Sequence, residues 1–273
     1  GNKYINDEID IGVLAEFIIY VNMLTWPVAV VGWVTSIIQQ AEASQKRINE
    51  FLEEKPDIID GYGVKGEING SIEFDKVSLY YPETKITAIN KVNLKIASGS
   101  TIGIIGNIGS GKTSLLDLIV RLYDPDDGTV KIDGIDIKKY SLDQLRSSIS
   151  YVPQNAFLFS ETIENNISYG LISAIFRDIV EAGKKAAVHK NIISFLKGYK
   201  TILGERGVTL SGGQIQRISI ARAIVKNSKI LLLDDCLSAV DTDTEEEILK
   251  NLKSYTKNKT TIIVSHRISS LKH

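Results

Sequence analysis

Cysteine is nearly absent from this 273-residue chain, which carries one, Cys236. A single thiol excludes an internal disulfide and a zinc site built from several cysteines. Its scarcity fits a reducing compartment such as the cytosol, and Cys236 is expected to pack as a small hydrophobe. A surplus of charge of either sign is lacking too: 32 Lys and Arg against 33 Asp and Glu leave a formal net charge of −1. That balance argues against nucleic acid as the main partner, which would favour a basic face. Low-complexity tracts and convincing internal repeats are missing. Two of the three histidines, His189 and His273, stand in no chemical pattern and read as solvated. The length is ample for one sizeable domain plus a further helix, so the motifs must decide the rest.

Gly106-Asn107-Ile108-Gly109-Ser110-Gly111-Lys112-Thr113 fits the phosphate-cradling pattern G-x-x-x-x-G-K-[S/T]. Before it, Thr101–Ile105 is a short apolar, β-branched run with the pattern of a buried strand. After it, Leu115, Leu116, Leu118, Ile119 and Leu122 recur at helical spacing. The loop therefore lies at a helix N-terminus, where successive amides and the helix dipole favour phosphate. Gly106 and Gly111 permit backbone angles and close approaches that a β-carbon would block. Lys112 would reach the β- and γ-phosphates, and the Thr113 hydroxyl would ligate Mg²⁺. A second apolar run, Ile230–Leu233, ends in two acids, Asp234 and Asp235. A strand buried on both faces reads as such a run, and ligands of open α/β sheets gather at strand carboxyl ends. Asp234 is placed to hold Mg²⁺, directly or through water, and Asp235 to stand near the γ-phosphate, where a base orients an attacking water. Leu210-Ser211-Gly212-Gly213-Gln214 is a second glycine-bearing loop before a helical run. Two such loops suggest a nucleotide closed over from both sides, and a protein whose ATP state is also its assembly state.

Residues 11–38 are largely apolar, and about twenty such residues can span a bilayer. Glu16, Asn22 and Thr25 interrupt the run; polar positions in a span face other helices or a water-filled path. Pro27 is placed to kink the helix. The acids Asp7, Glu8 and Asp10 precede the run, unlike the basic start of a signal peptide. Lys46 and Arg47 follow it, which puts the C-terminal side in the cytosol. The alternative for this run is a buried helix of a soluble protein. Residues 39–54 continue as a polar helix ending near Pro56, and 55–69, with Pro56, Gly61, Gly63 and Gly66, read as a linker. Residues 71–80 and 92–97 alternate as antiparallel strands, and 128–134 as a strand entering a tight turn. Residues 101–122, 149–153, 230–234 and 260–265 supply a parallel core, and the stretch between Gln154 and Gln214 is mainly helical.

These motifs, in this order, resemble the nucleotide-binding domain of an ATP-binding cassette (ABC) transporter of the exporter type, in which membrane and ATPase parts share one polypeptide. The resemblance covers nearly the whole chain. It implies an α/β fold: a P-loop NTPase with a RecA-like core, an antiparallel β subdomain and a helical subdomain, preceded by one long transmembrane helix. Residues 1–54 would be the last membrane helix and its cytosolic extension, 55–69 the linker, and 70–273 the nucleotide-binding domain, cut short at its C-terminus within a longer polypeptide. Tyr81, beside Pro82, matches the aromatic that stacks on adenine. Residues 106–113, followed by Ser114, match Walker A, whose Gly106, Asn107, Ile108, Gly109, Ser110, Gly111, Lys112 and Thr113 would enclose the phosphates. Gln154, in Tyr151-Val152-Pro153-Gln154, matches the glutamine that touches Mg²⁺ and the attacking water. Ser211, Gly212 and Gly213, with Gln214, match the signature loop, 230–235 Walker B, and Ser238-Ala239-Val240-Asp241 the D-loop. His266 matches the switch histidine facing the γ-phosphate. Glu205, in Gly204-Glu205-Arg206-Gly207, is similar to the exporter loop that senses the membrane domain. The implied cofactors are ATP and Mg²⁺, with Thr113, Gln154 and Asp234 on the metal and Asp235, His266, Gln154 and Lys112 as the catalytic set. Residues 155–167 would face the membrane domain; Phe157, Leu158 and Phe159 either make that contact or cover the helical subdomain's own core.

One position departs from the family's pattern. The residue after the Walker B aspartate is usually glutamate, the general base, and here it is Asp235. Its carboxylate would sit about 1 Å or more back from the water, a misplacement that costs roughly a hundredfold in rate. Asp234-Asp235-Cys236-Leu237-Ser238 resembles transporters made of two different half-chains, one composite site being impaired. The implied partner is a second half-transporter. A heterodimer is favoured over a homodimer with two slow sites, and over a backbone shift that lets Asp235 serve. A regulatory subunit that binds ATP without turning it over is the alternative function. Chromosome-maintenance and DNA-repair ATPases share the paired loops but need a coiled-coil or zinc insertion, and importer ATPases are usually separate soluble chains. The resemblance makes the full protein a multi-pass protein of the cell (inner) membrane, with its nucleotide-binding part cytoplasmic and no nucleic-acid partner. The cargo stays open among lipid, drug, peptide and polysaccharide precursors.

Overall fold

The computed structural model describes residues 11–81, 83–171, 173–204 and 210–266. Asp7, Glu8, Asp10, Pro82, the loop residues Glu205, Arg206 and Gly207, and His273 lie outside the described residues. The chain divides into two units, parting between Asp57 and Ile58.

The first unit is one helix, α1 (Ile11–Glu53), which runs through Pro27. None of its residues is buried; Phe17, Trp26 and Trp33 expose 65%, 74% and 67% of their surface. Apolar surface of that kind is driven out of water, and the helix is long and apolar enough to cross a membrane. At 1.5 Å per residue it is about 65 Å long, roughly twice the ~30 Å of a bilayer's hydrocarbon. Three of the polar groups in its apolar stretch find partners one turn back. Thr25 donates to the Val21 carbonyl, Thr35 to that of Val31, and the Tyr20 hydroxyl to Glu16, which lowers the cost of placing these groups in lipid.

The second unit holds two four-stranded sheets. Strands β1 (Ile72–Tyr81) and β2 (Ile86–Ile96) pair antiparallel. Strand β3 (Thr101–Ile105) leads into helix α2 (Lys112–Ile119). Strands β4 (Asp127–Ile132) and β5 (Ile135–Asp136) then complete an antiparallel sheet of order β2-β1-β4-β5. Helix α3 (Leu142–Ser147), capped by Ser141, precedes β6 (Ile149–Val152). The helical part follows: α4 (Ile163–Ile167), α5 (Phe176–Lys185), α6 (His189–Ile193) and α7 (Gly212–Lys226). Strand β7 (Ile230–Asp234), helix α8 (Thr242–Tyr255) and strand β8 (Thr260–Ser265) follow, and among the described residues the parallel sheet has the order β3-β8-β7-β6.

Strand β7 is buried at every position. Its alternating side chains feed two cores. Ile230 and Leu232 pack with Phe74, Leu116, Ile119 and Val130 of the β-rich part, while Leu231 and Leu233 join Leu158, Ile163, Ile218 and Ile248 of the helical part. Each such side chain contributes about 1.5–3 kcal/mol by leaving water. Strand β3 differs from the buried strand expected of it. Among the described residues β8 is its sole neighbour in the sheet, and Thr101, Gly103 and Ile105 are exposed. An apolar run of five residues has no periodicity to separate an edge strand from a central one.

Residues 58–69 belong to this second unit. The Asp133 carboxylate accepts from the backbone N–H groups of Asn69, Gly70 and Ser71. Gln144 accepts from Val64 N–H and donates to the carbonyls of Val64 and Gly66. Arg121 donates to the Ile59 carbonyl, and Ile68 is 4% exposed. A Cβ on Gly61 would stand 2.2 Å from the Tyr140 carbonyl oxygen, so the chain passes there too closely for any other residue.

Leu158 is fully buried among Ile163, Ile218 and their neighbours, so it covers the helical core, whereas Phe157 is exposed. His189 is not simply solvated. Its Nδ1 lies 3.0 Å from the Tyr199 hydroxyl, half-buried. Cys236 packs in the helical core at 2% exposure, and burial pushes its thiol up to about 12.

Candidate active site

The glycine loop joins the C-terminal end of β3 to the first turn of α2. Gly111 has φ +84°, and a Cβ there would stand 2.2 Å from the Ala88 carbonyl oxygen. Only glycine satisfies both demands. The Lys112 ammonium lies within the loop, donating to the Gly106 carbonyl at 2.9 Å, the Asn107 carbonyl at 2.7 Å and Ser110 Oγ at 3.4 Å. A positive charge is thereby fixed beside a row of amides at a helix N-terminus, the setting that attracts phosphate.

Strand β7 delivers Asp234 to the same place. Thr113 Oγ1 donates to Asp234 Oδ2 at 2.7 Å, across 121 positions of sequence. The Tyr151 hydroxyl, near the end of β6, donates to Asp117 Oδ1 at 3.2 Å and lies 3.5 Å from Asp234 Oδ2. Asp234 is 1% exposed. Burial raises its pKa, and the neighbouring Asp235 adds to the shift, while the Thr113 and Tyr151 hydrogen bonds oppose it. Asp117 is raised as well, chiefly by burial, and burial with these two carboxylates raises the Tyr151 phenol. Asp235 follows at φ +42°. Its N–H donates to the Val264 carbonyl at 3.0 Å, and its own carbonyl accepts from Ser238 Oγ at 2.9 Å.

A cavity of about 660 Å³ collects the predicted residues. Tyr81, Ile108, Gly109, Ser110, Gly111, Lys112, Thr113, Ser114, Gln154, Asp234, Asp235 and His266 line it, together with Ile86, Ala88 and Ser238. Tyr81 is held at one side, its hydroxyl donating to Ser114 Oγ at 3.1 Å and its ring edge-on to Tyr123. Gly106 and Asn107 contribute through the carbonyls on Lys112.

The donor atoms suit Mg²⁺: a hydroxyl, a carboxylate and an amide carbonyl are hard oxygen ligands. Among the described residues no three His, Cys, Asp or Glu side chains are grouped to hold a metal. A cation here would therefore share itself with phosphate oxygens and water, as Mg²⁺ commonly does.

The second glycine loop is not among the residues lining this cavity. Ser211 caps α7, its Oγ accepting from Gln214 N–H at 3.2 Å, while Gln214 Oε1 accepts from Ser211 N–H at 3.0 Å. This reciprocal pair satisfies two otherwise free amides and occupies the carbonyl of Gln214. A Cβ on Gly213 would meet the Ala239 carbonyl oxygen at 2.8 Å. Gln216 ties the two regions together, accepting from Ala239 N–H at 3.1 Å and lying 3.4 Å from Ser238 Oγ. The sequence pointed to neither Asp117 nor Gln216 as a site residue. Asp117 could have been found as the acid one helical turn after Thr113.

Three comparisons bear on this arrangement. The family model described as ABC transporter matches residues 89–238. The uncharacterized ABC transporter ATP-binding protein YknU of Bacillus subtilis is 46% identical over the whole of this chain and 47% of its own length. The multidrug resistance-like ATP-binding protein MdlA of Escherichia coli is 40% identical over 98% of this chain and 45% of its own. The structure of a bacterial Atm1-family ABC exporter with ATP bound superposes with a TM-score of 0.83 at 34% identity, covering 92% of this chain and 45% of the other. The chain spans about half the length of the curated relatives it matches.

Proposed function

The chain belongs to the ABC transporter family, among relatives of the exporter type, and from that premise we propose that its cavity binds and hydrolyses ATP to drive substrate efflux by a membrane exporter. The observation that carries this reading is the Thr113–Asp234 hydrogen bond at 2.7 Å, set beside Lys112 in one cavity with Gln154, Asp235 and His266. Tyr81 stacks on adenine, and Gly106 to Ser114 enclose the phosphates. Lys112 leaves its loop carbonyls for the β- and γ-phosphates, a charge placed where charge accumulates in the transfer. Thr113, Gln154 and Asp234 would hold Mg²⁺, which when bound would supply neutralisation of phosphate charge. Asp235 orients the attacking water, and His266 faces the γ-phosphate.

The second rim comes from another domain. Ser211 and Gly213 of an opposing copy or homologue donate to the γ-phosphate, with Gly212 and Gln214 shaping that loop. Nucleotide thus becomes part of the interface, and its hydrolysis reopens the pair. Helix α1 lies in the cell membrane, and the chain continues from it into a cytoplasmic domain that takes in residues from Ile58 onward. The exposed Phe157 and half-exposed Phe159 face the membrane part. Replacing Lys112 with Ala in the complete protein is expected to abolish ATP-dependent approach of the cytosolic domains, read by crosslinking or solution scattering. Undiminished approach at ordinary ATP levels refutes the role given to Lys112.

The short carboxylate of Asp235 favours a second reading, in which this chain is the slow, ATP-holding half of a heterodimer while its signature loop completes an efficient site on the partner. ATP turnover measured with and without a co-encoded half-transporter separates the two. Equal turnover per site in both cases refutes the heterodimer.

A further inference from the structure

The phenol of Tyr151 joins two acids that come from different elements. Tyr151 stands opposite Leu232 in the parallel pairing of β6 with β7, and Leu232 and Asp234 share one face of β7 because strand side chains alternate. Helix α2 covers that face: Leu116, Ile119 and Leu232 pack in one core, with Tyr151 partly buried against it. Asp117 lies on α2 one helical turn after Thr113. The Tyr151 hydroxyl meets both carboxylates, Asp117 Oδ1 at 3.2 Å and Asp234 Oδ2 at 3.5 Å. Both separations are long beside the ~2.7–2.8 Å usual for O–H···O. A hydroxyl has a single hydrogen to donate, and one hydrogen shared between two acceptors gives two long contacts in place of one short one.

The hydrogen bonds that Asp234 accepts from Thr113 and from Tyr151 both fall on Oδ2, and Oδ1 takes part in neither. Thr113 alone fixes one oxygen and leaves the carboxylate to swing about it. A second contact, from a different element, removes that freedom. Asp234 is buried, so little water reaches it to set its orientation instead. Tyr151 is not among the residues lining the cavity, and its effect on the site therefore runs through Asp234. Outer partners of this kind orient ligating carboxylates, and their loss typically lowers metal affinity about 10–100-fold.

We propose that Tyr151 is a positioning residue for the metal site: it holds Asp234 by Oδ2 so that Oδ1 is left to the cation, and Asp117 in turn holds Tyr151. Asp234 as a holder of Mg²⁺ is part of the proposed function, on which this role for Tyr151 rests.

The test uses the full-length protein with a non-hydrolysable ATP analogue, and Mn²⁺ in place of Mg²⁺. Affinity for the analogue is measured in EDTA, and Mn²⁺ affinity of the analogue-bound protein by electron paramagnetic resonance. Tyr151→Phe removes one oxygen and keeps the ring in the core. It is expected to weaken Mn²⁺ binding about tenfold or more while leaving the affinity in EDTA within about twofold. Asp117→Asn keeps an acceptor for the phenol and is expected to bind Mn²⁺ like the unaltered protein. Asp117→Ala should weaken Mn²⁺ binding, and adding it to Tyr151→Phe should cost nothing further, because groups that act through one another are not additive. Unchanged Mn²⁺ affinity in Tyr151→Phe overturns the proposal. So does an equal loss with and without the ion, the mark of a general structural fault. So does a double variant that loses the product of both single effects, since Asp117 then acts without Tyr151. An unaltered protein that binds no analogue refutes the proposed function and this role with it, a result seen before any variant is made.

Discussion

Lengthening the Asp235 side chain by one methylene should quicken this site. Asp235 lines the same cavity as Lys112, Thr113 and Gln154, and its backbone is pinned on both sides, by Val264 through its N–H and by Ser238 through its carbonyl. The added carbon in Asp235→Glu should therefore advance the carboxylate into the cavity and not displace the strand end. A gain of about 1 Å in reach is worth roughly a hundredfold in rate, or about 2.7 kcal/mol of barrier. Opposing it is the residue's φ of +42°, a region that aspartate tolerates better than glutamate. That penalty is bounded at about 1–2 kcal/mol, below the expected gain. The assay is steady-state ATP turnover of the complete transporter, with nucleotide affinity measured in parallel. Unchanged turnover at unchanged affinity refutes the short-carboxylate reasoning, and a fall in affinity shows that backbone strain has won.

The other predictions concern packing and charge. Leu158→Ala should destabilise the folded protein by about 2–5 kcal/mol, as removal of a fully buried leucine does, whereas Phe157→Ala should cost far less; denaturant unfolding of the two variants should separate them. Asp117 has a pKa raised by burial above the ordinary 3.8, so the folded state binds its proton more tightly than the unfolded one. Stability from this group is fully present below 3.8 and is lost as pH climbs through its raised value. Asp117→Asn, which keeps an acceptor for Tyr151, should therefore raise the melting temperature near neutral pH and show no gain near pH 4. Equal gains at both pH values would refute burial of charge as the cause.

What the sequence disclosed, and what it withheld, follow from how local each signal is. The phosphate loop and the acid pair after Ile230–Leu233 are contiguous, and each lies at a strand end that the apolar pattern already marks. Their convergence, Thr113 against Asp234, could be inferred because the motif carries its context with it. The Arg222–Asn166 contact joins residues 56 positions apart, and no periodicity announces it. Phe157, Leu158 and Phe159 are three consecutive apolar residues in a loop, where neither a period of 2 nor of 3.6 says which one turns inward. Residues 58–69 carry linker composition, yet their backbone is captured by Asp133 and Gln144, more than sixty positions downstream. Glycine and proline announce a lack of regular structure, which differs from a lack of attachment.

The reciprocal tie at Ser211 has a chemical consequence. Its oxygen already accepts a hydrogen bond from Gln214 N–H, which leaves the hydroxyl hydrogen free to be donated. The exposed amides at the tip of that helix likewise can only donate. A surface with this polarity discriminates before any fine fit is tested: it welcomes an electron-rich oxygen and turns away an ammonium or a hydrated cation, whichever molecule presents it.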